Sequence, residues 1–302
     1  MKNLKITTAQ IAKICNVSQG TVDRALNGRP DIKAETKQKI IEVARKYGYR
    51  EHINTQSDKI VGQIGIIVFN LNNEYFSDLI TELEYALREE GLSAVIMMSH
   101  YDKQYEIECI RNLYNMGVDG IVLCSVNSGT EFENYLSLFD IPVVAVGNMI
   151  KSIPYVGIDD FVAMSEMTKN ALSENPESII YFSPALNYPD AFAQRLRYEG
   201  FLSAVGNKKY SVVTDLEDIK DCYNKKTAII CSNDYYALQV YFKTKNVRIY
   251  GFDNIKALSK YKIPIDSVGY SMCEIAREAI NIIKANKKEN VIINHSIIRK
   301  NL

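Results

Sequence analysis

The sequence has no tryptophan and only 3 histidines among 302 residues. His52, His100 and His295 lie far apart, which argues against a histidine-rich metal site. The 6 cysteines (Cys15, Cys109, Cys124, Cys222, Cys231, Cys273) are scattered and form no C-x-x-C pair. They read as thiols of a reducing compartment, not as a disulfide framework. No apolar run reaches membrane-spanning length, the longest being about Ile64 to Phe69, so no membrane partner is expected. At the N-terminus Lys2 and Lys5 are followed by polar Thr7, Thr8 and Gln10. That is no export signal, and a cytoplasmic location is expected. The G-x-x-x-x-G-K-[ST], G-x-S-x-G and G-x-G-x-x-G signatures are missing too, which argues against an enzyme or a nucleotide cofactor. Nor is there any excess of basic charge, since 36 Lys and Arg balance 36 Asp and Glu. Taken whole, that zero speaks against a nucleic-acid partner.

What is present reverses that last point. The length suggests two or three domains, and 47% hydrophobic with 24% charged residues is ordinary globular composition. Residues 1–56 hold 11 bases against 5 acids, a charge of +6, and the remaining residues carry −6. A small basic segment on a larger acidic one is the electrostatic footprint of a nucleic-acid reader joined to something else.

The local pattern in the basic segment agrees. Thr8 is placed to cap a helix from Ala9 to Cys15, with Ile11, Ala12 and Cys15 on one face. Asn16 suits a left-handed exit, and Ser18 caps a second helix from Gln19 to Leu26 that buries Val22, Ala25 and Leu26. A third helix spans about Ala34 to Tyr47, with Ile40, Val43, Ala44 and Tyr47 at helical spacing and Gly48 as its stop. Two short helices on a tight turn, braced by a third, make a helix-turn-helix. Its second helix would enter the major groove, presenting Gln19, Gly20, Asp23 and Arg24. Gln pairs with adenine and Arg with guanine, while Thr8, Ser18, Thr21 and Asn27 suit phosphate oxygens. Asp23 has two roles open: balancing Arg24 or facing solvent, or accepting from cytosine N4.

The run Thr8-Ala9-Gln10-Ile11-Ala12 through Val17-Ser18-Gln19-Gly20-Thr21-Val22-Asp23-Arg24-Ala25-Leu26-Asn27 resembles the headpiece of the lactose/galactose repressor (LacI/GalR) family. Asn16 stands where that family usually has Gly, and Asp23 where it usually has Ser. The resemblance implies a hinge after the headpiece that wedges a Leu into the minor groove. Ungapped counting puts Asp58 at that position, and Ile53 is the apolar residue within the stretch. Residues 50–60 have linker composition, and of the hinge that the resemblance implies only the weaker version is expected: the linker orders when two headpieces dock.

From Ile60 onward apolar strands alternate with amphipathic helices in two series of about 100 residues each. Parallel sheets flanked by helices, in two α/β lobes, are expected, with a ligand at the carboxyl ends of the strands. A single closing strand is expected over Val291 to Ile298. The fold class is thus an all-α headpiece (1–49), a linker (50–60) and a two-lobed α/β body resembling periplasmic binding proteins (61–302).

The body resembles the same family at Ile64-Gly65-Ile66-Ile67, Asn73-Glu74-Tyr75-Phe76, Val118-Asp119-Gly120-Ile121, Ile141-Pro142-Val143-Val144, Arg197-Tyr198-Glu199-Gly200-Phe201, Asn233-Asp234 and Gly251-Phe252-Asp253-Asn254. Arg197 presents a planar fork suited to sugar hydroxyls or a carboxylate. By that resemblance Arg197 and Asp253 contact the effector, with Asn233 a further contact and Asp234 a candidate cap for the helix that follows. Tyr75, Phe76 and Ser125 are candidates from the first lobe, Tyr75 or Phe76 able to stack on a sugar face. Of Asp159 and Asp160, one faces the cleft and the other caps a helix; Asp159 is taken as the effector residue. Tyr270 takes the place of a pocket Gln, and Tyr188 is a weaker candidate.

The function implied is a homodimeric transcriptional regulator reading a near-palindromic double-stranded DNA operator, controlled by a small effector expected to be a sugar. The alternative is a sugar-binding or sugar-modifying α/β protein with a basic appendage.

Overall fold

The computed structural model describes residues 7–26, 29, 31–46, 62–188 and 191–300. The headpiece has helices α1 (Thr8–Cys15), α2 (Gln19–Leu26) and α3 (Ala34–Lys46). The cap of α1 is Thr7, not Thr8. The Thr7 side chain accepts from Gln10 N–H while the Gln10 side chain accepts from Thr7 N–H at 2.8 Å. Gln10 lies three residues after Thr7, the spacing that lets each side chain reach the other's orphan donor. Asn16 exits α1 at φ 57, the left-handed conformation its side chain tolerates. Ser18 Oγ accepts from Thr21 N–H at 3.1 Å and so covers the start of α2. Ile11, Ala12, Cys15, Val22, Ala25, Leu26, Ile40 and Ala44 form a closed core. Each large aliphatic buried there contributes about 1.5–3 kcal/mol against the entropy of ordering. Asn27, Gly28, Tyr47, Gly48, the linker, Ile53 and Asp58 lie outside the described residues.

In chain order the body runs β1 (Gln63–Val68), α4 (Glu74–Glu89), β2 (Ser93–Met98), α5 (Lys103–Met116), β3 (Gly120–Leu123), α6 (Thr130–Leu136), β4 (Val143–Val146) and β5 (Tyr155–Gly157). It continues with α7 (Asp160–Ser173), β6 (Ser178–Phe182), α8 (Phe192–Val205), β7 (Ser211–Val213), β8 (Thr227–Cys231), α9 (Asp234–Lys243), β9 (Arg248–Phe252), α10 (Lys256–Lys260) and β10 (Asp266–Tyr270). It closes with α11 (Met272–Ala285), β11 (Val291–Ile292) and β12 (His295–Ile298). Two 6-stranded sheets result, with orders β11-β5-β4-β3-β1-β2 and β12-β10-β9-β8-β6-β7.

The first sheet is the floor of lobe 1 and the second of lobe 2. The chain crosses between them after β5, after β10 and after β11. The single closing strand expected from the sequence is thus two. β11 extends β5 in one sheet, and β12 pairs antiparallel with β10 in the other. Ile293 and Asn294 make the crossing between them. Apart from the β10–β12 pair, the ladders are parallel. Inner strands such as β3 and β4 are buried along their whole length, which explains their unbroken apolar runs. α7 and α8 pack closely because Gly200 has no side chain; a Cβ there would meet the carbonyl oxygen of Phe161. That contact sets α8, and with it Arg197, beside α7 and its Asp160.

Candidate nucleic-acid interface and ligand cleft

In the headpiece, Gln19, Gly20 and Arg24 are exposed on α2, with Thr21 and Asp23 half-buried. Their polar groups pair with one another. Gln19 Nε2 donates to Thr8 Oγ1 at 2.9 Å, and Ser18 and Thr21 hydroxyls lie 2.8 Å apart. Arg24 donates to Gly20 O at 3.1 Å and to Asp31 at 3.0 Å. Such exposed contacts exchange cheaply, so these side chains are free to turn to a base or a phosphate. A Cβ on Gly20 would meet only Ser18 Oγ, at 3.9 Å, so the start of α2 presents an open backbone surface. Asn27, the last of the proposed DNA contacts, lies outside the described residues.

In the body the polar residues turn inward, at the carboxyl ends of the strands. Arg197 on α8 is buried. Its Nε donates to Asp160 Oδ1 at 2.7 Å and its Nη1 to Ser232 O at 2.8 Å; Nη2 lies 3.4 Å from Asp253 Oδ1. The guanidinium stacks on the Phe252 ring, 3.6 Å from its centroid. Tyr270 Oη donates to Asp253 Oδ1 at 2.7 Å. Asp253 is held at φ 102, where a residue with a Cβ is strained, and strain of that kind persists where the surroundings over-determine it. Burial pushes the Asp253 carboxyl up to about 6 despite the opposing pull of Arg197 and Tyr270. Burial raises Asp160 as well, again against Arg197. Tyr75 of lobe 1 lies within electrostatic range of this group. Burial raises its phenol well above the usual range, and Asp253 and Arg197 both act on it.

The other sequence candidates sort differently. Asp159 caps α7, accepting from Val162 N–H at 2.9 Å, while Asp160 is the residue that engages Arg197. Asn233, not Asp234, caps α9, accepting from Tyr236 N–H at 2.9 Å. Asp234 lies buried beneath, accepting from Ser267 Oγ at 2.8 Å and Ile255 N–H at 3.0 Å. Phe76 packs in the core edge-to-face against Phe69, with centroids 4.4 Å apart, and is not placed to stack on a ligand. Ser125 is committed to buried Glu106 at 2.5 Å and accepts from Asn127 N–H at 2.9 Å. Its hydroxyl is spent on the loop after β3. Tyr188 is largely exposed.

Beside this cluster is a cavity of about 170 Å³ lined by Gly147, Met149, Tyr155, Ile158, Asp159, Asp160, Phe192, Leu196 and Ile292. Tyr155 and Phe192 went unrecognised because nothing in a short strand or a helix start marks a residue as facing a cleft. Hydrogen bonds also join the two lobes. Glu74 Oε1 accepts from Ala257 N–H at 3.0 Å, Lys256 Nζ donates to Asp78 at 2.8 Å, and Asn148 Oδ1 accepts from Ala193 N–H at 3.1 Å. Among the described residues no His, Cys, Asp and Glu grouping could hold a metal ion, and no helix is long and apolar enough to cross a membrane.

Residues 61–296 match the family described as periplasmic binding proteins and sugar binding domain of LacI family. Residues 7–51 match bacterial regulatory proteins, lacI family. Catabolite control protein A of Priestia megaterium is 24% identical over 314 residues, covering 95% of this chain and 95% of the relative. A periplasmic binding protein/LacI transcriptional regulator from Alkaliphilus metalliredigens QYMF, complexed with D-xylulofuranose, superposes with TM-score 0.68 at 20% identity, over 80% of this chain and 99% of that one. The lac repressor dimer bound to operator and an anti-inducer superposes with TM-score 0.67 at 14% identity, over 98% of this chain and 99% of that one. With both halves matched in one order, the chain belongs to the LacI family: it is a DNA-binding transcriptional regulator with the family's sugar-binding type of body.

Proposed function

We propose that this regulator works inside the cell as a homodimer whose operator affinity is set by a small polyol, a sugar, bound between the lobes. The observation that carries this is the buried Arg197–Asp160–Asp253 cluster with Tyr75 and Tyr270 at the lobe junction. A planar guanidinium flanked by carboxylates and phenols suits an array of hydroxyls. The sugar ligand of the Alkaliphilus neighbour and the operator and dimer of the lac repressor neighbour support the same reading. The headpiece contacts DNA through Thr8, Ser18, Gln19, Gly20, Thr21, Arg24 and Asn27. The cleft holds the effector through Arg197, Asp253, Tyr75, Tyr270, Asp159 and Asn233, to which Asp160 is added.

The mechanism needs no chemistry on the ligand, which is bound and released unchanged. Closing the lobes brings Tyr75 against the Arg197 cluster and Glu74 against α10. A ligand shifts that equilibrium only by its differential affinity for the two states. Paired headpieces are then re-aimed at half-sites one helical turn apart.

Selection from a random duplex pool with the full chain tests this. A two-fold symmetric sequence should be enriched, and a carbohydrate panel should contain a member that changes retention on it. Enrichment of asymmetric single sites would overturn the dimer. A selected operator indifferent to every carbohydrate would overturn the sugar.

A further inference from the structure

The cleft carries more acid than base. Among the described residues Arg197 is the buried cation, and Asp160 and Asp253 already flank it. Asp159 lines the same cavity as Asp160, and no basic side chain lines it. One Asp159 oxygen is used by the α7 cap. The remaining lining is Gly147, two aromatic residues, Tyr155 and Phe192, and the apolar Met149, Ile158, Leu196 and Ile292. An anionic ligand would meet the exposed Asp159 carboxylate beside the buried Asp160 carboxylate, and like charges repel. An ammonium group would meet two carboxylates and two aromatic side chains.

A second, independent observation points to a ligand. Among the described residues Ser183 Oγ and Ser232 Oγ are fully buried and have no hydrogen-bond partner. They follow β6 and β8 directly, and the pairing of Phe182 with Cys231 sets them side by side. By strand alternation they share the sheet face of Tyr181 and Ile230, which packs in the same core as the Phe252 ring under Arg197. Buried hydroxyls left unpaired are costly, and here they stand at the carboxyl edge where the cleft opens.

We infer that the effector is an amine-bearing polyol, its ammonium held between Asp159 and Asp160 beside Tyr155 and Phe192 and its hydroxyls turned to the lobe-2 strand ends. Sugar acids and sugar phosphates are excluded by the same carboxylates. This inference rests on the sugar reading above and narrows it.

The test uses the full chain and matched sets of the gluco, galacto and manno sugars, each as the 2-amino sugar, the neutral parent and the uronic acid. Binding is read by thermal shift and calorimetry. Within the set that binds, the amine should bind at least about 10-fold tighter than the parent, and the acid should not bind. Asp159→Asn keeps a good helix cap while removing the charge, so the unliganded melting temperature should hold. In that variant the amine-to-parent affinity ratio should fall about 10-fold. A parent or acid binding as tightly as its amine would overturn the inference and leave the sugar effector standing. An unchanged ratio in Asp159→Asn would overturn the ammonium placement. No binding by any sugar in any charge state would overturn the inference together with the sugar reading it rests on.

Discussion

Arg24 and Arg197 each pair with an aspartate, at 3.0 and 2.7 Å, yet one side chain is 52% exposed on the headpiece and the other 9% exposed in the body. The exposed pair is worth at most about 1 kcal/mol and is readily exchanged for a DNA contact. The buried one cannot be opened without leaving carboxylates stranded. The same chemical pair therefore sits in two settings: exposed and exchangeable on the headpiece, buried and fixed in the body, as the proposed DNA-contacting and effector-holding roles require. The opposite charges of the two regions, +6 and −6, fit that division, since an acidic surface is repelled by DNA and a basic one attracted to it.

Removing each arginine breaks the comparison most sharply. Arg197→Ala should destabilise the body by about 3–5 kcal/mol, seen as a lower urea midpoint, and should abolish effector response. Arg197→Lys keeps the charge but not the fork over Phe252, and should recover stability without restoring full affinity. Arg24→Ala should leave the unfolding midpoint within error and weaken selected-operator binding by about 10- to 100-fold in an anisotropy titration. If Arg24→Ala instead lowered ligand affinity, the two regions would not be separable as drawn.

Acid sharpens the contrast further. Asp253 titrates at about 6 in the folded body, above the unfolded value of about 3.9. The folded state therefore holds the extra proton, and stability falls as pH rises from about 4 through 6. Thermal melts should show the body gaining about 1 kcal/mol between pH 7 and pH 5, with Asp160 pulling the same way. Asp253→Asn should flatten that slope. The smallest effect is expected at the lobe contacts. Lys256→Ala removes an exposed pair with Asp78 and should cost under about 1 kcal/mol, read as a small rise in protease sensitivity of the cleft.

Much of the headpiece was legible because its signals are local. Asn16 at the helix exit, Ser18 at the start of α2 and the apolar spacing of Ile11, Ala12 and Cys15 each act within a few residues. The exception, Thr7 for Thr8, came from a capping box that reads through Gln10. In the body the long strands and helices were legible, while α6, α10, β7 and β10 were not. They are short, and β10 carries Asp266, Ser267 and Gly269, so packing rather than propensity makes it a strand. The split of β11 from β12 depends on which sheet each edge meets, which periodicity does not encode. Site residues divide likewise. Arg197 and Asp253 come together as sequence resemblance implied, but the roles within Asp159–Asp160 and Asn233–Asp234 depended on which carboxylate or amide reached a helix N–H first.

The central claim is that DNA contact belongs to the basic headpieces of a pair of chains. Titrating the full chain onto duplex DNA across salt concentrations tests it most directly. The account predicts a log–log slope of roughly −5 or steeper, from phosphate contacts made by two headpieces. A slope near zero would contradict it.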